Sequence, residues 1–152
     1  KRKRGIFSNT LRSFIHTRNP QDIGDMAMEA MGIFCNDLKI LNVSHSCVTS
    51  QGIQLLLEGT PKLYDLNVQH CDHMTARGAL VVITPDETKT FRNKFKRLNF
   101  ANTNLRNGCC YWLSKSYRSL EDLDISNCDE VSDAGIIELT RGCKRLKRII
   151  CP

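Results

Sequence analysis

Residues 120–146 read LEDLDISNCDEVSDAGIIELTRGCKRL. The stretch opens with an alternating apolar run, Leu120, Leu123 and Ile125, and passes through a polar turn containing Cys128. One apolar residue follows, Val131, and then Ile136 and Leu139 at i and i+3. Period-two alternation predicts a short strand, and the i, i+3 spacing predicts a helix. Neither element is long enough to bury its own apolar side. The stretch therefore implies neighbours of the same build, and the role of its two cysteines depends on whether it recurs.

It does recur. Leu38, Leu63, Phe95 and Leu146 open similar runs, LKILNV, LYDLNV, FKRLNF and LKRIIC. Each of the first three leads through a polar turn to one apolar residue, Val48, Met74 or Leu105. The helix positions then repeat as Ile53 and Leu56, Ala79 and Val82, and Cys110 and Leu113. One interval tests the register. Val48 to Leu63, Leu105 to Leu120 and Val131 to Leu146 are each 15 residues, as is Ile23 to Leu38. Ile23 thereby marks an earlier unit, with Met28 and Met31 on the helix and a degenerate strand before them. Met74 to Phe95 is 21 residues, and the excess falls in ITPDETKTFRNK, where Pro85 and the charges read as an inserted loop.

An anchor pattern that repeats after 25 residues (Leu38 to Leu63) or 26 (Leu120 to Leu146) resembles the leucine-rich repeat. The expected fold is an α/β solenoid of about five units, with a curved parallel sheet inside and helices outside. Residues 1–22 read as a basic N-terminal segment with a degenerate repeat. Residues 23–152 read as the repeat array, with the inserted loop near 84–94. Thr49, Thr75 and Ser132 stand where a hydroxyl caps a helix start. Gly59 and Gly142 stand where the helices end, a place that favours positive φ. Leu146 begins a further strand, which suggests a piece of a longer array.

The register also gives the cysteines places. Cys71 and Cys128 share the ninth position from the strand anchor with Ser46 and Thr103. All four are small donors, suited to turn inward and bond a carbonyl in the tight turn that follows the strand. Cys35 and Cys143 lie three residues before an anchor, where Thr60 and Tyr117 stand in other units. Most of these thiols read as small core residues, which suits a reducing compartment better than a disulfide framework.

The 120–146 phrase resembles the cysteine-containing class of leucine-rich repeats. LYDLNVQHCDHMTARGALVVI is similar, and IFCNDLKILNVSHSCVTSQGI departs from the class at Ser46. The class is typical of F-box/leucine-rich-repeat proteins, the substrate receptors of SCF-type ubiquitin ligases. It also occurs in related proteins without an F-box, including ciliary and axonemal components. The resemblance implies protein partners and an intracellular location, cytoplasmic with nuclear or ciliary alternatives. It implies the SCF adaptor as a partner only where an F-box lies outside this segment.

Charge and motif content narrow the classes further. The net charge is +6. Lys1, Arg2, Lys3, Arg4, Arg12 and Arg18 against Asp22 give residues 1–22 a charge of +5, which leaves the body nearly neutral. No nucleic-acid groove is expected from it, and no apolar run of membrane-spanning length occurs. His70-Cys71-Asp72-His73 looks like a metal cluster, but the register turns Cys71 into the core and offers no second ligand pair at finger spacing. Cys109-Cys110 reads as packing rather than a vicinal disulfide. No phosphate loop, zinc helix or nucleophile elbow is found. No catalytic residue, metal ligand or cofactor is assigned, and the chain is not expected to be an enzyme.

Strand alternation places Ile40, Asp65, Arg97, Asp122 and Arg148 in one row of the concave face. Asn42, Asn67, Asn99, Asp124 and Ile150 form a second row, and Ser44, Gln69, Ala101 and Ser126 a third. The candidate protein-binding residues are Asp65, Asn67, Arg97, Asn99, Asp122 and Asp124. The inserted loop, with Phe91 as its apolar residue, is the other candidate surface.

Overall fold

Leu41, Leu66, Leu98 and Leu123 stand side by side in one ladder of parallel strands, each at most 2% exposed. They are the central residues of β2 (Ile40–Asn42), β3 (Asp65–Asn67), β4 (Arg97–Asn99) and β5 (Asp122–Asp124). The computed structural model describes residues 10–16, 23–75, 79 and 95–151. The ladder ends on β1 (Ser13–Ile15) and β6 (Arg148–Ile150). The six strands run in chain order β1-β2-β3-β4-β5-β6, every neighbouring pair parallel, and the sheet does not close.

Among the described residues, the helices with both ends placed are α1 (Asp25–Phe34), α2 (Ser50–Gly59), α3 (Asn107–Ser116) and α4 (Asp133–Gly142). Ala79, between β3 and β4, is also helical and buried. The helices pack their apolar positions, Met28, Ile53, Leu56, Cys110, Leu113 and Leu139, against the inward side of the sheet. The units of β2–β5 each contribute three buried strand anchors to a single core, which the helix residues complete, and no unit buries these alone.

The first strand is more regular than its sequence promised. Phe14 pairs with Leu41 in register, and Leu11 and Phe14 pack on the core in the places of Leu38 and Leu41. The spacing hid it. Phe14 to Leu41 is 27 residues against 25 from Leu41 to Leu66, and His16 replaces the third apolar anchor.

Gly59 and Gly142 overturn one expectation. No described glycine has positive φ. The helices close instead on ordinary backbone. The amides of Thr60, Tyr117 and Cys143 donate to Leu56, Leu113 and Leu139, four residues back. The two glycines are small because the preceding unit's helix comes close. A Cβ on Gly59 overlaps the carbonyl of Gly32 in α1, and one on Gly142 overlaps the Ser114 carbonyl in α3. Left-handed backbone occurs one turn later, at His45, His70, Asn102 and Asn127, with φ of 59, 53, 54 and 55°. These four occupy one repeat position, just after the strand. Asn tolerates that region well and His less so. The bend they make turns the next side chain into the core.

That next side chain is Ser46, Cys71, Thr103 or Cys128, all buried as the register required. The Cys71 thiol donates to the Val43 carbonyl at 3.3 Å, and the Cys128 thiol to the Phe100 carbonyl at 3.3 Å. Both acceptors belong to the preceding unit rather than to the turn after the thiol's own strand, where they were expected, so these thiols stitch units together. Thr103 donates to the same Phe100 carbonyl at 2.6 Å. At the helix starts, Thr49 accepts from the Gln51 amide at 3.1 Å, the expected cap. Ser132 makes no such cap; its Oγ instead accepts from Asn107 Nδ2 at 2.9 Å, a contact with the preceding unit. The inserted loop near 84–94, Phe91 and the basic run Lys1–Arg4 lie outside the described residues.

Candidate functional site

The outward sides of β1–β6 form two adjacent rows. The first is Ser13, Ile40, Asp65, Arg97, Asp122 and Arg148, locked by the register of the strands. Opposite charges alternate along its last four members. Arg97 reaches back to Asp65, with Nε to Oδ2 at 2.8 Å and a terminal guanidinium nitrogen to the same oxygen at 2.7 Å. Arg148 reaches back to Asp122 at 3.0 Å. The Asp65 hydrogen bond, with its charge, holds the Arg97 proton more firmly than usual. These are solvent-exposed pairs, each worth about 0–1 kcal/mol, so stability does not explain the row. Arg97 also lies over the Tyr64 ring, 5.7 Å from its centroid, which fixes the guanidinium from a second side.

The second row is Ile15, Asn42, Asn67, Asn99, Asp124 and Ile150. It has a duty that the sequence did not disclose. The Oδ1 atoms of Asn42, Asn67 and Asn99 each accept from the amide two residues on, at 2.9 Å. Asp124 does the same for the Ser126 amide at 3.0 Å and also accepts from the Ser126 hydroxyl at 2.7 Å. These side chains fold the chain out of the strand and into the left-handed bend. Their Oδ1 atoms are committed to that turn. Asn99 Nδ2 leans toward Asp124 Oδ2 at 3.4 Å and Gln69 Oε1 at 3.5 Å.

All six sequence-predicted residues, Asp65, Asn67, Arg97, Asn99, Asp122 and Asp124, line one hollow of about 290 Å³ across β3–β6. Arg148 and Ile150 complete its far wall. Of the third row, Ser44, Gln69 and Ser126 are half-buried, while Ala101 is buried and offers no surface. Ile15 and Ile150 are 59% and 42% exposed and supply apolar contacts at the two ends of the face.

The sulfur and imidazole groups sit elsewhere. His45 and His70 stack with ring centroids 4.4 Å apart on the turns beyond the strands. None of the eight cysteines is in a disulfide. Burial pushes the thiols of Cys71, Cys109, Cys110 and Cys143 up, Cys110 to about 12 and Cys143 to about 11. A thiol held neutral at pH 7 is a poor nucleophile and a good core residue. No group of three or more His, Cys, Asp or Glu among the described residues is arranged to hold a metal. No described helix is long and apolar enough to cross a membrane.

A family model described as "Leucine Rich repeat" matches residues 34–57 and 118–139, the second and fifth units counted from β1. No curated protein matches the chain. The two matched segments each hold one strand of the ladder and most of its helix. With the six in-register parallel strands and their helices, they make this an α/β leucine-rich-repeat solenoid, a scaffold for protein–protein contacts.

Proposed function

We propose that the chain is a non-catalytic recognition module and that the outward face of β3–β6 is where a protein partner sits. The observation that carries this reading is the alternating Asp65–Arg97–Asp122–Arg148 row, with the hollow it borders. Its ion pairs contribute little to stability, yet the register holds them in fixed order. That order favours a peptide whose own charges alternate to match. Within this reading, the cysteine-bearing turns at Cys71 and Cys128 support the substrate-recognition region of an F-box-type SCF ubiquitin ligase receptor. The other role carried by the same resemblance is a scaffolding subunit of a ciliary or axonemal assembly.

The test is affinity capture with the parent protein and with an Arg97→Glu/Arg148→Glu variant. Proteins bound by the parent and lost from the variant identify the concave partner. Recovery of the SCF adaptor with both forms supports the receptor role. Recovery of cytoskeletal proteins at raised salt, without the adaptor, assigns the scaffolding role instead. An unchanged set of bound proteins in the variant contradicts the concave site.

A further inference from the structure

Among the described residues, the two margins of the sheet carry opposite charge, although the body of the chain is nearly neutral. Along the margin where strands begin, backbone hydrogen bonds link Arg12, Lys39, Tyr64, Lys96, Glu121 and Lys147 into one continuous row. Lys39 donates to the Arg12 carbonyl, Tyr64 to Lys39, Lys96 to Tyr64, Glu121 to Lys96 and Lys147 to Glu121, each at 2.8–3.0 Å. Neighbours in such a row are about 4.8 Å apart. Behind it, the helix-to-strand returns add Lys62, Arg118, Lys144 and Arg145, all exposed. Among the described residues of the row and the returns, two carboxylates stand against these cations. Asp37 is bound by Lys62 and Glu121 by Lys147. The opposite margin, where strands end, presents Asp72, Asp129, Glu130 and Asp133 against Arg106.

Helix ends explain part of this arrangement. Lys62, Arg118 and Lys144 follow the C-termini of α2, α3 and α4, whose unsatisfied carbonyls attract cations. The same effect does not account for Lys39, Lys96 and Lys147, which lie in the strand row. Nor does it leave the margin neutral, since each helix end offsets only about half a charge. Among the described residues, Lys39, Lys96, Arg118, Lys144 and Arg145 make no ion pair with a carboxylate. Both resident carboxylates already titrate below their usual range. Their bound lysines are the first cause, with Arg12 and Lys39 adding to it at Asp37, and Lys96 and Arg145 at Glu121.

We propose that this strand-start margin is a second docking surface, separate from the concave face, and that its occupant is an acidic segment of a protein partner. The choice of a peptide over a nucleic acid rests on the mixture of groups displayed. The cations stand along a strand margin and beside helix C-termini, whose partial negative charge disfavours a uniformly anionic polymer. A peptide brings carboxylates for the lysines and arginines, and N–H donors for the carbonyls. The phosphodiester backbone of a nucleic acid brings acceptors only, its donors lying on base edges and, in RNA, on the 2′-hydroxyl. Tyr64 is the only aromatic ring in the row and is already covered by Lys96 and Arg97, so stacked bases have no platform.

The experiment measures binding of the full chain to a fluorescent 12-residue Glu/Asp peptide at low salt. A single-stranded 12-mer oligonucleotide and phosphatidylserine vesicles are run beside it. The variants are Lys96→Gln/Arg118→Gln/Arg145→Gln at the margin and Arg97→Gln/Arg148→Gln on the concave face, both checked for an unchanged unfolding midpoint. The peptide is expected to bind and to weaken as salt shortens the Debye length. The margin variant is expected to lose about tenfold in affinity, and the concave variant less than about twofold. Equal peptide affinity in parent and margin variant overturns the proposal. So does tighter binding of the oligonucleotide or the vesicles, or self-association of the chain that the margin variant abolishes. Because the concave variant is scored separately, failure here leaves the concave reading standing, and the reverse also holds.

Discussion

The two sides of the same six strands are built to different rules. On the inward side, Leu41, Leu66, Leu98 and Leu123 repeat one residue type and are all buried. One position away, on the outward side, the row changes from Ile40 to Asp65, Arg97 and Asp122, half-buried or exposed throughout. The inward side is constrained by contact with two neighbouring units and a helix layer at crystal-like density. The outward side is constrained only by solvent and by whatever binds there. Repetition marks what the solenoid needs from itself, and variation marks what it offers to others.

Changes on the two sides should therefore differ in size and kind. Leu98→Ala removes a buried anchor at the centre of the ladder and is expected to cost about 3 kcal/mol in urea unfolding, within the usual 2–5 kcal/mol range. A cost below about 1 kcal/mol shows that the inward ladder is not the core.

The thiols give the inward side an alkaline signature. Burial holds Cys110 up to about 12 and Cys143 to about 11, above the unfolded value near 8.5. A raised folded-state value means that the contribution is fully present below the unfolded one. It is lost as pH rises toward the folded one, because the unfolded chain ionises first. Stability is expected to fall by about 1–3 kcal/mol per such thiol between pH 8 and 10.5. Cys110→Ala is expected to flatten that decline, read from unfolding midpoints across the pH series.

Arg97→Gln sits at the small end. It breaks the pair with Asp65 and is expected to change stability by less than about 1 kcal/mol. Its effect belongs in partner binding instead. A large stability loss here, matching that of Leu98→Ala, erases the distinction between the sides.

How much of this could be read from residues alone follows the same division. Leu38, Leu63, Phe95 and Leu120 carried the fold, because burial forces apolar residues into register at every unit. Cys71 and Cys128 were placed inward by position, and a buried donor needs an acceptor. Their acceptors, however, lie in the preceding unit and not in their own turn, because stacking brings Val43 and Phe100 beside them. The first strand escaped notice because two extra residues and His16 broke the spacing that made the others visible. Gly59 and Gly142 were misread, since a glycine reports that space is short or that φ is positive, and local sequence does not distinguish the two. Asn67, Asn99 and Asp124 were taken for surface alone. Their carboxamide or carboxylate oxygens turn the chain, a role for which the Asn, Asn, Asn, Asp series at residues 42, 67, 99 and 124 was the available signal. The segregation of charge between the two margins was hidden by the sum. Lys96, Lys147 and Arg118 cancel against Asp129, Glu130 and Asp133 in a count, and only the strand register shows that they lie on opposite margins.

The central claim is one uninterrupted ladder, and its weakest point in sequence is the long interval between β3 and β4. The Val68 amide donates to the Asn99 carbonyl across that join at 3.0 Å, while the Val43 and Ile125 amides donate to Asn67 and Ile150 at 3.0 and 2.8 Å on either side. Native-state hydrogen exchange measures all three amides in one experiment. The ladder predicts that Val68 exchanges as slowly as Val43 and Ile125, through global unfolding. Exchange of Val68 at the rate of an unprotected peptide, with the other two still protected, would show that the array is broken there.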